Sequence, residues 1–320
     1  MKRLLHTNIF TTCFVLAYFL FSFAIVFLLA MLHVSGIYAS ALATLLLYVL
    51  AFGLPSVIDY IALRPYTGET PAQFFGFRRL SGRVFWLVFA CAILVQPVMM
   101  LISSVSQLIF QNVTSDTMYQ MAEMPLPLLL LTSAVFPAFF EELVCRGVLL
   151  RGYRETPTWY ALLIPAVFFG LLHLNFQQAL YAIAGGIFFA LLVRFTGSLW
   201  SSIIAHFVIN GLQSFLSWAV LHSGLYELSE LTAQTELISG PAMVLAQLFA
   251  PALLTALTLP VLILCLIVLK KQSVPAYPAA KRSSFAGPPL LPTWHKGAWL
   301  MYINLGFLLI YCVINEVAFV

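Results

Sequence analysis

Nine long apolar runs divide this chain, and they leave it few ways to fold. The hydrocarbon core of a bilayer is crossed by about 20 apolar residues in a helix. Inside that core every backbone N–H and C=O needs a partner within the protein, so only helices and closed barrels span it. The runs are too long for barrel strands, and their polarity does not alternate. They are Ile9–Leu32, Ile37–Leu63, Val84–Phe110, Pro125–Leu150, Trp159–His173, Ala179–Phe195, Leu199–His222, Pro241–Leu269 and Ala298–Phe319. The expected fold is an all-α polytopic transmembrane helix bundle, with about eight core helices and one appended C-terminal helix. The fifth and sixth runs are short and joined by a few polar residues, Asn175 to Gln178, which predicts a tight helical hairpin.

Composition agrees: 62% of residues are hydrophobic and 8% charged, against about 25% charged in soluble domains. No basic cluster interleaves with aromatics, so no nucleic-acid partner is expected. The five cysteines all fall in apolar runs and form no CxxC pair, which suggests neither a disulfide framework nor a cysteine zinc site. The first run follows Lys2 and Arg3, is longer than a signal-peptide core, and reads as a retained span.

Positive charge sorts by side. With the N-terminus inside, the inner connections hold Lys2 and Arg3, the arginines from Arg64 to Arg83, Arg151 and Arg154, and the cations from Lys270 to Lys296. Arg146 and Arg194 lie near inner helix ends, which accounts for all fifteen Lys and Arg. The outer connections carry Asp116, Glu123, Glu227, Glu230 and Glu236 instead. By the positive-inside rule the N-terminus is expected in the cytoplasm, in a multi-pass protein of a bacterial cell membrane. Three regions are expected. Residues 1–269 form a transmembrane domain, with the polar motifs in 125–220. A Pro/Ser/Lys-rich inner linker covers 270–297, and an appended helix covers 298–320. The Arg64–Arg83 stretch reads as a surface linker, and Asn112-Val-Thr114 as a glycosylation sequon.

Within this apolar background two adjacent glutamates stand out. Glu141 and Glu142 lie in the fourth run, with Arg146 one turn later. A charge at the centre of a transmembrane helix costs roughly 2.5–3.5 kcal/mol on insertion scales, so such residues mark a site by default. Neighbours on a helix point about 100° apart, so the two acids cannot share a face. Glu142 and Arg146 are at i, i+4, the spacing at which opposite charges meet. Glu141 is left to face a cavity, and a carboxylate in apolar surroundings holds a proton well enough to act as a general base on water. Pro137, four residues earlier, should disturb the helix and open room there.

Two later runs bring His173, and His206 with Asn210 at i, i+4. Alone, His173 reads as a helix-end histidine and the His206/Asn210 pair as interhelical hydrogen-bonding groups. At a rise of about 1.5 Å per residue, Glu141 lies roughly 15 Å and His206 roughly 11 Å from the inner ends of their helices. His173 comes out deeper, at about 20 Å, which requires a tilted or displaced helix. Together these groups suggest hydrolysis by an activated water, with an imidazole and an amide stabilising an oxyanion. A zinc site of Glu141, His173 and His206 is the competing reading. Without HExxH, and with Asn210 a poor zinc ligand and a good oxyanion donor, no cofactor is favoured.

The motifs Glu141-Glu142-Leu-Val-Cys-Arg146, Phe169-Gly-Leu-Leu-His173 and His206-Phe-Val-Ile-Asn210 resemble, in that order, those of the CPBP family of intramembrane proteases. That family includes the type II CAAX prenyl endopeptidases and the bacteriocin-processing Abi proteins, and the resemblance covers about 125–220. It implies that Glu141 activates water with help from His173. His206 and Asn210 would form the oxyanion site, with Glu142–Arg146 as a supporting pair. The expected function is an endopeptidase acting on a membrane-tethered, leader or lipidated peptide, with the lipid bilayer as its surroundings. The alternatives are a non-catalytic membrane scaffold or toxin-immunity protein and, with no inverted repeat in view, a proton-coupled transporter.

Overall fold

A computed structural model describes residues 2–110, 118, 120–223, 241–272 and 298–318. Among them there is no strand, and eight helices are long and apolar enough to cross a membrane. The chain is an integral multi-pass membrane protein of the all-α class. We number its helices α1 (Lys2–Met31), α2 (Ile37–Thr67), α3 (Pro71–Phe75), α4 (Gly82–Gln107) and α5 (Leu126–Leu150). They continue with α6 (Thr158–Leu171), α7 (Phe176–Thr196), α8 (Leu199–His222), α9 (Pro241–Lys271) and α10 (Ala298–Ala318). The sequon, the acidic connection after Ser223, and the linker beyond Gln272 lie outside the described residues.

The fifth run differs most from its expected form. It is a helix of 14 residues, α6, about 21 Å long and too short by itself for a hydrocarbon core of about 30 Å. A tight turn joins it to α7, as the polar break at Asn175 predicts. Asn175 is the N-cap of α7, its Oδ1 accepting from the Gln178 N–H at 2.8 Å. The two arms pack closely because Gly186 has no side chain: a Cβ there would lie 2.9 Å from the Cα of Ala166.

The Arg64–Arg83 stretch is more than a surface linker. It folds into α3, capped reciprocally by Thr70 and Gln73, and buries Phe74 and Phe75 beneath the end of α5. Arg151, just past α5, reaches back to the carboxylate of Glu69 and lies over the Phe74 ring.

Helix α5 is the most buried of the spans and packs against α2, α6, α7 and α8. It is not a regular α-helix. Wide π-type turns run over Leu131–Val135 and Leu143–Leu150. The first precedes Pro137, whose ring excludes a regular bond to the carbonyl four residues back. Helix α2 repeats the arrangement, with a wide turn at Tyr48–Gly53 just before Pro55. The wide turn of α2 packs against Phe136–Glu142 of α5. Gly53 permits it, since a Cβ there would sit 2.8 Å from the Phe140 ring.

Candidate active site

Between α2, α5, α6, α7 and α8 lies a cavity of about 380 Å³. Glu141, His173, His206 and Asn210 all line it. Glu142 and Arg146 sit behind the wall, almost fully buried. The structure thus gathers all six residues that the sequence singles out, and separates them into those that face the cavity and those that support it.

The supporting layer is tied together on one oxygen. Glu142 Oε1 accepts from Arg146 Nη1 at 2.6 Å, the i, i+4 contact that the spacing predicts. The same oxygen accepts from His206 Nδ1 at 3.0 Å, a link across 64 residues that no local pattern announces. Arg146 Nη2 donates to the Gly186 carbonyl at 3.0 Å, and its guanidinium lies over the rings of Phe169 and Phe189. These contacts partner both terminal nitrogens and a face of a buried cation, which is what makes it tolerable in this interior.

With its Nδ1–H given to Glu142, His206 turns Nε2 toward the cavity. The ring is fixed by stacking on Phe189, with centroids 4.8 Å apart and planes 17° apart. Nε2 lies 3.8 Å from Glu141 Oε2 and 3.2 Å from Asn210 Nδ2. Asn210 also donates to the Ser133 carbonyl at 3.1 Å.

Glu141 faces the cavity, and Tyr48 holds it. The Tyr48 hydroxyl donates to Glu141 Oε1 at 2.7 Å, which leaves Oε2 directed at His206. Tyr48 stands in the wide turn of α2 and stacks on Phe140, the residue before Glu141. Sequence reading misses it. A tyrosine in an apolar helix carries no motif, and only the packing of α2 on α5 brings it to the acid.

His173 reaches the same cavity from beyond the end of α6. Its Nδ1 is 3.0 Å from the Phe169 carbonyl, and its ring meets Phe169 edge-on. The rise along the helix puts His173 deeper than Glu141, yet the turn that follows α6 brings it to the same cavity wall. The zinc set is a different matter. Among the described residues no three His, Cys, Asp or Glu side chains are gathered to hold a metal ion. Both nitrogens of His206 already face hydrogen-bonding partners. Gln96 and Gln107 serve packing: Gln96 donates to the Ile209 carbonyl, and Gln107 pairs with Gln247.

Residues 123–212 match the family described as type II CAAX prenyl endopeptidase Rce1-like. A curated Bacillus subtilis (strain 168) protein named "Putative membrane peptidase YdiL" is 30% identical over 115 residues, which is 36% of this chain. The match covers 46% of that protein, so the chain spans about half the length of its curated relative. No solved structure matches the chain. The family match falls on the stretch that carries the three motifs, and both findings support the CPBP protease family.

Proposed function

We propose that this chain is an intramembrane endopeptidase that hydrolyses a peptide bond of a membrane-associated substrate. A lipidated tail or a leader peptide is the substrate class that fits, since the site lies among apolar helices. The observation that carries the reading is the placement of Glu141: in the cavity wall, one oxygen held by Tyr48 and the other 3.8 Å from the imidazole of His206.

The chemistry follows from the donors present. Glu141 takes a proton from a water that His173 helps to orient, and the hydroxide attacks the scissile carbonyl carbon. The carbonyl oxygen becomes an oxyanion, which the Asn210 Nδ2–H and the His206 imidazole stabilise. When the tetrahedral intermediate collapses, the C–N bond breaks and the amine leaves with the proton that Glu141 held. Glu142 and Arg146 orient the imidazole and touch no reacting atom. The segregation of positive charge supports a cytoplasmic N-terminus and a site in the inner half of the membrane, which we read as a bacterial cell membrane. The C-terminal helix α10 is read as an addition to the transmembrane domain that carries the site.

The test is a comparison of membrane-peptide termini in cells expressing the wild type and cells expressing Glu141→Gln at equal levels. New termini present only with the wild type establish the protease and name its substrate. Identical termini overturn the reading and favour the membrane scaffold.

A further inference from the structure

Two hydrogen bonds tie the C-terminal helix to the turn that carries His173. Helix α10 packs on α1, α6 and α7, well outside the residues matched by the protease family. Asn315 Nδ2 donates to the Leu174 carbonyl at 2.8 Å. One turn earlier on α10, Cys312 Sγ lies 3.9 Å from the Leu171 carbonyl. These are carbonyls at the end of α6, where a helix leaves its acceptors without intrahelical partners.

Leu174 has φ of 59°. This is the left-handed region, which a residue with a branched side chain enters only when its surroundings hold it there. On one side the turn is held from within: the Leu174 N–H donates to the Leu171 carbonyl, and Asn175 Nδ2 to the His173 carbonyl. On the other side Asn315 holds the Leu174 carbonyl itself. The backbone of His173 is therefore fixed between α6 and α10. Its ring, set by the bond from Nδ1 to Phe169, inherits that position.

We infer that Asn315 is a positioning residue for His173, so that the C-terminal helix completes the active site rather than only anchoring the chain. The inference rests on the proposed protease reading, because it gives His173 its role. It predicts that loss of the Asn315 amide lowers turnover without weakening substrate binding.

The test uses the full chain in proteoliposomes with a quenched fluorogenic, prenylated CAAX peptide. Asn315→Leu keeps the branched shape of the side chain and removes the donor. Asn304→Leu is the control, since it removes the bond from Asn304 to Thr12 that also docks α10 but lies far from the turn. Asn315→Leu should lower kcat by about tenfold with KM unchanged, a part of the hundredfold or more that a placed acid–base group contributes. Asn315→Gln should restore part of the loss, and Asn304→Leu should leave kcat as it is. Hydrogen exchange at residues 172–175, read on the same samples, should quicken in Asn315→Leu and not in Asn304→Leu. Full turnover in Asn315→Leu, or equal losses in the two leucine variants, overturns the inference. If the wild type cleaves nothing, the prenylated-tail substrate fails on its own. The exchange rates then decide: quickened exchange confined to Asn315→Leu keeps Asn315 as the anchor of the turn, and unchanged exchange removes it.

Discussion

Asn210 donates to the carbonyl of Ser133, the carbonyl that Pro137 cannot serve from four residues along α5. A proline inside a helix removes one N–H and leaves one acceptor open. Here the open acceptor fixes the amide that faces Glu141 and His206. The break in α5 thus has a direct use, positioning a side chain on another helix.

Pro137→Ala supplies the missing N–H and lets α5 close toward regular geometry. The Ser133 carbonyl then has a competing donor. One typical hydrogen bond is worth about 1 kcal/mol net, so turnover should fall by about fivefold. Thermal unfolding in detergent should show unchanged or slightly raised stability. A fall in both quantities together would assign Pro137 to packing alone.

Tyr48→Phe removes only the hydroxyl that holds Glu141 Oε1. A hydrogen bond to a charged group is worth about 1.5–3 kcal/mol, and turnover should fall by about tenfold to a hundredfold. The ring contacts with Phe52, Phe136 and Phe140 remain, so the unfolding temperature should move little. Kinetics on the prenylated fluorogenic peptide, beside a melting curve, check both statements.

Much of this arrangement is legible in the sequence. The apolar runs give the helices within a few residues, because lipid allows no other backbone solution. Charge in that background isolates Glu141, Glu142 and Arg146, and the i, i+4 spacing predicts their pairing. What lies beyond local spacing is hidden. The bonds from Tyr48 to Glu141 and from His206 to Glu142 join residues 93 and 64 positions apart. They depend on where whole helices dock. The short α6 was visible as a short apolar run, but the left-handed turn at Leu174 was not, since leucine carries no turn signal.

Gly53→Val tests the approach of α2 to α5. Its side chain would run into the Phe140 ring, which a Cβ alone already meets at 2.8 Å. Overpacking of this kind costs typically about 1–3 kcal/mol. Because Tyr48 sits five residues away on the same wide turn, relief by separating the helices also pulls its hydroxyl from Glu141. Both the unfolding temperature and turnover should fall. Loss of turnover should exceed that of Tyr48→Phe, since the phenyl ring there keeps its seat.

The deepest prediction concerns the buried ion pair. Glu142 and Arg146 are 0% and 2% exposed, so removing either leaves the other as an unpaired charge in an apolar interior. Arg146→Met should therefore cost about 3–5 kcal/mol, the range for breaking a buried pair from one side. Replacing both, as Glu142→Gln with Arg146→Met, removes the stranded charge and should recover much of that stability. Turnover should not follow. His206 Nδ1 would face a neutral amide in place of the carboxylate, and the imidazole would lose the partner that sets its proton. A double variant that melts near the wild type and still cleaves poorly would separate the two roles of Glu142, as counter-ion and as orienter. Recovery of turnover along with stability would reduce the pair to a structural one, and leave the placement of His206 to its stacking on Phe189.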